Sequence, residues 1–347
     1  MKLRLLALST TFLLAVACSG SATPNAPAPL VTLPADEGPH DSGIEWWYFN
    51  GLLTDDRDQE YSYHYVTFQS ERSGGAVPSL LQASLGDHTT GKHLTGEQIL
   101  LDSLDPDAIG IDIAVNGWKM QGDGQSYNLE FVLASYSLDL EAVSVRPPVL
   151  HHGVGLVSLG PAGDTFYYSR TRLEVTGNIM IDGEQRPITG VTWMDHQWGD
   201  EISQRVGWDW ASVQLDDGSD LMAVMVWDPS GRTPFAKYGT LVSPNGSVLN
   251  LAQDDVSISS SAIWTSPATG IEYPSGWTLT VSSLDLSLEL EPVLVDSEFA
   301  GSRYTPAAYW EGEVRATGTR QGKVVSGRGF VELVGYDPSQ SDGYTTP

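Results

Sequence analysis

Apolar and polar residues alternate with a period of two along most of the chain, which is the spacing of a β-strand with two different faces. Residues 61–68 place three tyrosines on one face, residues 284–290 alternate without a break, and no long amphipathic helix interrupts the pattern. Dipeptides typical of tight hairpins separate such segments: Asp123-Gly124, Asp182-Gly183, Asp217-Gly218, Ser230-Gly231 and Asn245-Gly246. The pattern predicts an all-β protein of antiparallel strands, arranged as a sandwich or a barrel.

A short internal repeat indicates two copies of one architecture. Residues 43–46 (GIEW) and 207–210 (GWDW) share a Gly-x-acid-Trp pattern, and each leads into a predicted strand and an acidic turn. A Gly-x-Trp on the first strand is typical of lipocalin-like barrels. We therefore predict one domain over residues 35–202 and a second over 203–347. Each is long enough for a barrel of about eight to ten strands, whose interior can hold one elongated apolar ligand.

Composition narrows the class of partner. The 347 residues carry a net charge of −26, and 41% of them are hydrophobic. Such a chain folds, but it repels nucleic acid and anionic lipid surfaces, so we expect no nucleic-acid partner. The chain offers no His-x-His spacing, and the adjacent His151 and His152 would face opposite sides of a strand. We expect neither a metal site nor a cofactor.

The N-terminus predicts the compartment. Lys2 and Arg4 precede an apolar run over residues 5–17, and Cys18, the only cysteine, follows it. We interpret residues 1–17 as a lipoprotein signal peptide, Cys18 as the lipidation site and residues 18–34 as a flexible tether. The protein would then be lipid-anchored in a bacterial cell envelope, facing the periplasm or the outer membrane, and would meet the membrane through that anchor alone. The alternative is an ordinary secretory signal with a chance cysteine.

The densest cluster of titratable and aromatic residues lies at residues 190–210. It holds Trp193, Asp195, His196, Trp198, Trp208 and Trp210. Either this stretch is the seam between two packed domains, or it lines a site.

Six blocks, in chain order, carry a family resemblance. They are residues 38–51 (GPHDSGIEWWYFNG), 167–172 (YYSRTR), 190–199 (GVTWMDHQWG), 207–210 (GWDW), 309–312 (YWEG) and 329–336 (GFVELVGY). Together they resemble the AttH-like, carotenoid 1,2-hydratase (hydroxyneurosporene synthase) family. The resemblance implies two tandem lipocalin-like antiparallel β-barrels. It also implies either hydration of a terminal alkene in an isoprenoid, as in the hydratases, or an AttH-like lipoprotein found with ABC-transporter components. One departure is Asp36-Glu37, where family members commonly carry Asp-His.

Asp195 and His196 form the leading catalytic pair. Hydration of an alkene needs a strong proton donor, and a carboxyl between Trp193 and Trp198 would have its pKa raised by apolar surroundings. Aromatic faces would stabilise the carbocation, and a neutral His196 would orient or deprotonate the attacking water. The alternative is structural, with Asp195 accepting backbone N–H groups at a tight inter-barrel turn and His196 making a structural hydrogen bond.

Glu45, close to His40 in sequence, is the second catalytic candidate. On a strand it shares a face with Trp47, whereas Tyr48 lies on the other face. A buried carboxylate there is either part of a site or paired with a plugging Arg170 or Arg172. The predicted ligand-binding residues are Trp47, Tyr48, Trp193, Trp198, Trp208 and Trp210. These aromatic residues suit a long apolar ligand, but barrel girdles and plugs use the same residue types.

The leading functional hypothesis is an envelope lipoprotein that binds a hydrophobic small molecule, linked to ABC-transporter components. The alternative is an enzyme that hydrates, isomerises or cyclises an isoprenoid or similar alkene, with Asp195 as the acid. A third possibility is a scaffold without a ligand, in which side chains fill both barrels.

Overall fold

The computed structural model describes residues 27–70, 78–105, 107–200, 205–302 and 308–338, and within them the predicted all-β, antiparallel architecture is confirmed. One sheet holds the strands β1 (Ile44–Asp55), β2 (Glu60–Ser70), β3 (Ser79–Asp87), β4 (Lys92–Leu100), β5 (Ile111–Val115), β6 (Trp118–Gly122), β7 (Ser126–Leu133), β8 (Tyr136–Ser144), β9 (Val149–Leu150), β10 (Leu156–Ser158), β11 (Asp164–Ile181) and β12 (Glu184–Gly199). Its order is β4-β3-β2-β1-β12-β11-β8-β7-β6-β5, with β9 and β10 also paired to β11. The sheet curls so that β4 comes close to β5 and β7.

A second sheet repeats the plan. Its strands are β13 (Gly207–Leu215), β14 (Asp220–Trp227), β15 (Pro234–Val242), β16 (Val248–Leu251), β17 (Val256–Thr265), β18 (Glu272–Val281), β19 (Leu286–Pro292), β20 (Glu298–Phe299), β21 (Tyr309–Arg320) and β22 (Lys323–Val334). Their order is β16-β15-β14-β13-β22-β21-β19-β18-β17, with β20 on β21. The central β2-β1-β12-β11 of the first barrel thus correspond to β14-β13-β22-β21 of the second. The predicted division at residues 202 and 203 falls outside the described residues.

The helical content is small. The described part of the chain contains four short 3₁₀ helices: Ala35–Glu37, His151–Gly153, Gly160–Ala162 and Ser282–Leu284. Within the same described residues, no helix combines the length and apolarity needed to cross a bilayer.

Side chains occupy the interior of each barrel. Tyr61, Tyr63 and Tyr65 are buried in the core of the first barrel, as their shared face predicts, and Trp277 is buried in the core of the second. The interiors are therefore packed cores rather than the ligand cavities that barrels of this size can form. A third cluster lies between the barrels and includes the outward-facing Val66. Because the second barrel covers this face, both faces of β2 are buried.

Charged seams also join the barrels. Asp220 at the start of β14 is fully buried, and it accepts hydrogen bonds from Arg146 at 2.5 Å and from Arg172 at 2.6 Å, both in the first barrel. On another seam, Arg328 of β22 pairs with Glu60 of β2. Since a buried carboxylate without a cationic partner is costly, these pairs favour one relative placement of the two barrels.

Candidate active site

A cleft of about 110 Å³ lies between the outer faces of the two barrels. Its aromatic walls are Trp46, Tyr48, Phe68, Tyr167, Trp208, Trp210 and Tyr238. Two carboxyl side chains, Asp195 and Glu332, line it as well, and the lining residues among those described include neither Lys nor Arg. Trp46, Trp208 and Glu332 are half-buried, whereas Asp195 is 4% exposed. The cleft is therefore an apolar space with acidic groups and no cation on its walls.

Strand register explains the contribution of the first barrel. Tyr48 of β1 lies directly opposite Asp195 of β12, which lies opposite Ser169 of β11. Directly opposed residues on antiparallel strands project to the same face, here the outer face towards the second barrel. The sequence alternation that buries Trp47 inside the barrel thus sends Tyr48 into the cleft.

The second barrel repeats this arrangement with a second acid. Trp210 of β13 lies opposite Glu332 of β22, and Glu332 lies opposite Glu311 of β21. The hydroxyl of Tyr48 donates to Glu311 at 2.6 Å, so the two repeats meet directly. A carboxyl therefore occupies the same central position in both barrels, and the cleft combines them.

Asp195 is held by three side-chain donors. Its Oδ1 accepts from Ser169 and from Trp193 Nε1 at 2.7 Å, and its Oδ2 accepts from the Tyr167 hydroxyl at 2.7 Å. Burial outweighs these bonds and raises the pKa of Asp195 to about 6. This agrees with the expected apolar surroundings, and the donors are side chains in mid-strand rather than backbone groups at a turn.

Glu332 and Glu311 were missed as site residues by the sequence reasoning. Burial raises the pKa of Glu332 to about 7, although Trp208 Nε1 donates to it at 2.9 Å. Burial, and next the charge of Glu332, raise the pKa of Glu311 well above its usual range. The only sequence signal was their presence in the two C-terminal family blocks, because nothing local in the sequence brings β21 and β22 to Asp195.

The structure corrects the predicted pairing of Asp195 with His196. Adjacent residues of a strand face opposite sides, so Asp195 enters the cleft while His196 points into the first barrel. There His196 Nε2 meets Glu45 Oε1 at 2.8 Å, and Trp47 stacks on the ring at 4.6 Å. Burial lowers the pKa of His196. The two predicted partners therefore cannot act on one substrate atom.

Glu45 belongs to this interior cluster as well. Its Oε1 also meets His40 Nδ1 at 2.7 Å, and its Oε2 accepts the His40 backbone N–H at 2.9 Å. Burial by itself raises the pKa of Glu45, but the bonds with His196 and His40 outweigh it and hold this pKa below its usual range. Trp198 stacks on His40 at 4.0 Å.

The arginines considered as partners of Glu45 are bonded elsewhere. Arg170 donates to the buried Glu37 of the first 3₁₀ helix, and Arg172 donates to Asp220 of the second barrel. Glu37, noted as a departure from the family pattern, is thus the buried carboxylate that pairs with Arg170, and it also accepts hydrogen bonds from Tyr127 and Tyr168.

His40, Glu45 and His196 are the group of ligand-type side chains in the described part of the chain that could hold a metal, with donor atoms all within 4.8 Å of one another. Glu45 Oε1 lies 2.7 and 2.8 Å from the two imidazole nitrogens. Ligands of a tetrahedral ion with bonds of about 2 Å stand about 3.3 Å apart. The shorter spacing fits a hydrogen-bonded triad.

The predicted ligand-binding residues divide between two places. Tyr48, Trp208 and Trp210 line the cleft, and Trp193 stands beside it and holds Asp195. Trp47 and Trp198 face the interior of the first barrel instead. Cys18 lies outside the described residues.

The sequence profile of the AttH-like family matches residues 24–336 of this chain. The protein belongs to the AttH-like family. Over 90% of its length the fold is similar to that of an AttH protein from Nitrosomonas europaea, with 28% identity, a TM-score of 0.80 and coverage of 99% of that chain. The kievitone hydratase structure from Nectria haematococca has the same fold, with 20% identity, a TM-score of 0.74 and coverage of 89% of this chain and 94% of that one.

Two curated relatives are similar in sequence. Kievitone hydratase of Fusarium solani subsp. phaseoli is 27% identical over 186 residues, which are 52% of this chain and 52% of that protein. Dehydratase asqC of Emericella nidulans is 25% identical over 209 residues, which are 57% and 58% of the two chains. The chain thus spans little more than half the length of the curated relatives it matches.

Proposed function

We propose that this protein is a hydratase or dehydratase that acts on an uncharged, hydrophobic substrate in the cleft between its barrels. One observation carries the proposal: Asp195 and Glu332, whose pKa values are both raised, line an aromatic-walled cleft, and Glu311, whose pKa is raised as well, lies opposite Glu332 on the next strand. A carboxyl with a pKa of about 6 keeps its proton to much higher pH than an ordinary aspartate, which suits a general acid.

The same surroundings suit the charge that develops during the reaction. Protonating an alkene, or expelling water from a protonated alcohol, leaves positive charge on carbon. An ionised Glu332 and the faces of Trp210 and Tyr48 would stabilise that charge. Because the transition state is shared by both directions, one cleft serves hydration and dehydration. The activities named for the two curated relatives support this reaction class.

The test is hydration in water enriched in heavy oxygen. The purified protein is incubated with acyclic isoprenoids and similar hydrophobic alkenes, and products that have gained one labelled water are sought by mass spectrometry. We expect Asp195→Asn to lower turnover by about 100-fold or more. The matched control is Asp209→Asn, because burial also raises the pKa of Asp209 to about 6 but its side chain bonds Trp227 and Tyr336 inside the second barrel. Turnover by the Asp195→Asn variant at the parental rate would refute the proposal.

Binding without turnover is the second candidate, favoured by the apolar walls of the cleft. A carrier of a hydrophobic molecule, linked to an ABC transport system, would release a stoichiometric compound on organic extraction of the protein from its native host. A Trp210→Ala variant should lose that compound while a Trp277→Phe variant, altered in the second core, keeps it. A hydrated and unhydrated pair in the extract would favour the enzyme.

We retain the envelope lipoprotein as a separate proposal, motivated by residues 1–18. Metabolic labelling with a fatty acid should mark the wild-type chain and leave Cys18→Ser unlabelled. Labelling of the Cys18→Ser variant would overturn the lipoprotein assignment without bearing on the chemistry of the cleft.

A further inference from the structure

A chain of hydrogen bonds runs from the second barrel to Asp195. Thr240 Oγ1 lies 2.9 Å from His151 Nδ1, His151 Nε2 lies 2.7 Å from Ser169 Oγ, and Ser169 bonds Asp195 Oδ1. His151 is fully buried, and burial lowers its pKa to about 3, so the ring is neutral. A neutral ring carries one N–H, and the position of that proton sets the direction of the whole chain.

The two oxygens of Asp195 differ in their partners. Oδ1 meets both the Ser169 hydroxyl and the Trp193 indole N–H, whereas Oδ2 meets only the Tyr167 hydroxyl. An oxygen that accepts two donors is a poor place for an acidic proton, so the proton of neutral Asp195 belongs on Oδ2. Ser169 then donates to Oδ1 and accepts from His151 Nε2–H, and Thr240 donates to Nδ1.

Tyr167 stands between that proton and the substrate. Trp210 Nε1 donates to the Tyr167 oxygen at 3.1 Å, and the Tyr167 side chain lines the cleft. When Asp195 Oδ2–H also donates to this oxygen, both of its acceptor positions are used and its own O–H is directed into the cleft. We propose that the Tyr167 hydroxyl donates the proton to the substrate and is reprotonated by Asp195. This proposal rests on the hydratase function proposed above.

The step balances without a free phenolate. The alkene π pair takes the Tyr167 proton and forms a C–H bond, while the Tyr167 oxygen takes the proton from Asp195 Oδ2. The attacking water forms the C–O bond and releases its extra proton to the Glu332 carboxylate. Glu332 then loses this proton to solvent and Asp195 takes one from solvent, which restores the starting state with no net change in protons. Burial, and next the charge of Asp195, raise the pKa of Tyr167 well above its ordinary value, so the two proton movements are coupled.

Kinetics of Tyr167→Phe provide the first test. We expect kcat for the substrate found in the labelled-water assay to fall about 100-fold, with KM changed by less than about two-fold. Adding Asp195→Asn should cost little more, because both residues serve one proton transfer. The control is Tyr336→Phe, which removes a hydroxyl that donates to buried Asp209 at 2.8 Å outside the cleft. A Tyr167→Phe enzyme with kcat near the parental value would show that Asp195 protonates the substrate directly.

A second measurement requires no substrate. Nitrogen-15 NMR of the full protein, with the His151 signals assigned through a His151→Gln variant, reports which ring nitrogen carries the proton. A proton on Nε2 is the expected result, and a proton on Nδ1 would reverse the chain and overturn the relay. If the wild-type protein turns over no substrate in the panel, the proposed function fails, while this tautomer still decides the direction of the hydrogen bonds.

Discussion

Replacing Asp195 with Asn should stabilise the protein at alkaline pH while removing its activity. Burial raises the pKa of Asp195 from 3.8 to about 6, so the folded protein retains a proton that the unfolded chain has released. The free energy of unfolding therefore falls as the pH rises from about 4 to about 6, and stays lowered above it. About two pKa units at roughly 1.4 kcal/mol each correspond to about 3 kcal/mol. Asn cannot ionise, so the variant avoids this loss.

Denaturant unfolding of parent and variant at several pH values measures the effect. We expect equal stabilities below about pH 3, where Asp195 is protonated in both the folded and the unfolded state, and a gain of about 3 kcal/mol for Asp195→Asn at about pH 8. Asp209→Asn is the internal control, since the pKa of Asp209 is also raised to about 6 by burial. It should show the same pH-dependent gain in stability without the loss of turnover.

The opposite outcome would refute the reasoning. If Asp195→Asn were less stable than the parent at alkaline pH, the carboxylate would be a net structural group whose bonds outweigh its burial. The raised pKa that supports acid catalysis would then be wrong. A gain in stability together with a loss of turnover would match the usual trade-off, in which a strained active-site group is retained for its chemistry.

Three further predictions concern pH and the seams. The pH profile of kcat/KM should be a bell whose maximum lies between about 6 and about 7, because the form with protonated Asp195 and ionised Glu332 is most populated between these two pKa values. That form is a minority at every pH, because Glu332 has the higher pKa of the two; a rate that rises steadily to high pH would contradict this assignment of roles. Asp220→Asn should lower the free energy of unfolding by about 3 kcal/mol, because Arg146 and Arg172 lose their shared carboxylate. Glu184→Gln, at an exposed carboxylate that pairs with Arg57 and Arg186, should leave the midpoint of urea unfolding almost unchanged. Glu45→Gln should lower the thermal midpoint of unfolding and leave turnover largely unchanged. Because bonding with His196 and His40 holds the pKa of Glu45 below its usual value, the stabilisation by Glu45 should disappear as the pH falls through that lowered pKa. A variant that is inactive but as stable as the parent would restore Glu45 to the catalytic site.

The features that depend on residues close together in sequence could be predicted from the sequence pattern. The alternation over residues 61–68 correctly predicted a strand whose tyrosines share a core. The pKa of Asp195 is raised as expected, but by burial between the barrels: Trp193 donates a hydrogen bond that lowers this pKa, and Trp198 faces the interior of the first barrel. The error with His196 came from treating sequence neighbours as spatial partners, although strand geometry separates them. We expected the adjacent His151 and His152 to face opposite sides of a strand. Applying the same alternation to Asp195 and His196 would have prevented the error.

The remaining site residues depend on contacts that no window of sequence contains. Glu311 reaches Tyr48 across the inter-barrel boundary, and His151 reaches Thr240 in the same way. His151 was weighed only as a metal ligand, a role that says nothing about a hydrogen-bond chain. Such pairs follow from the docking of two barrels, which is decided by shape and by the charged seams at Asp220 and Arg328.

The duplicated architecture explains why the acid lies between the barrels rather than inside one. A small barrel fills its interior with side chains, and the outer face of its strands would normally face water, where an aspartate keeps an ordinary pKa. Here the second barrel covers the outer face around Asp195 and brings its own carboxyl, Glu332, from the corresponding strand. Packing two such faces together removes water from both acids and raises both pKa values. The proposed proton-donating chemistry would therefore be a property of the interface, which neither barrel has alone.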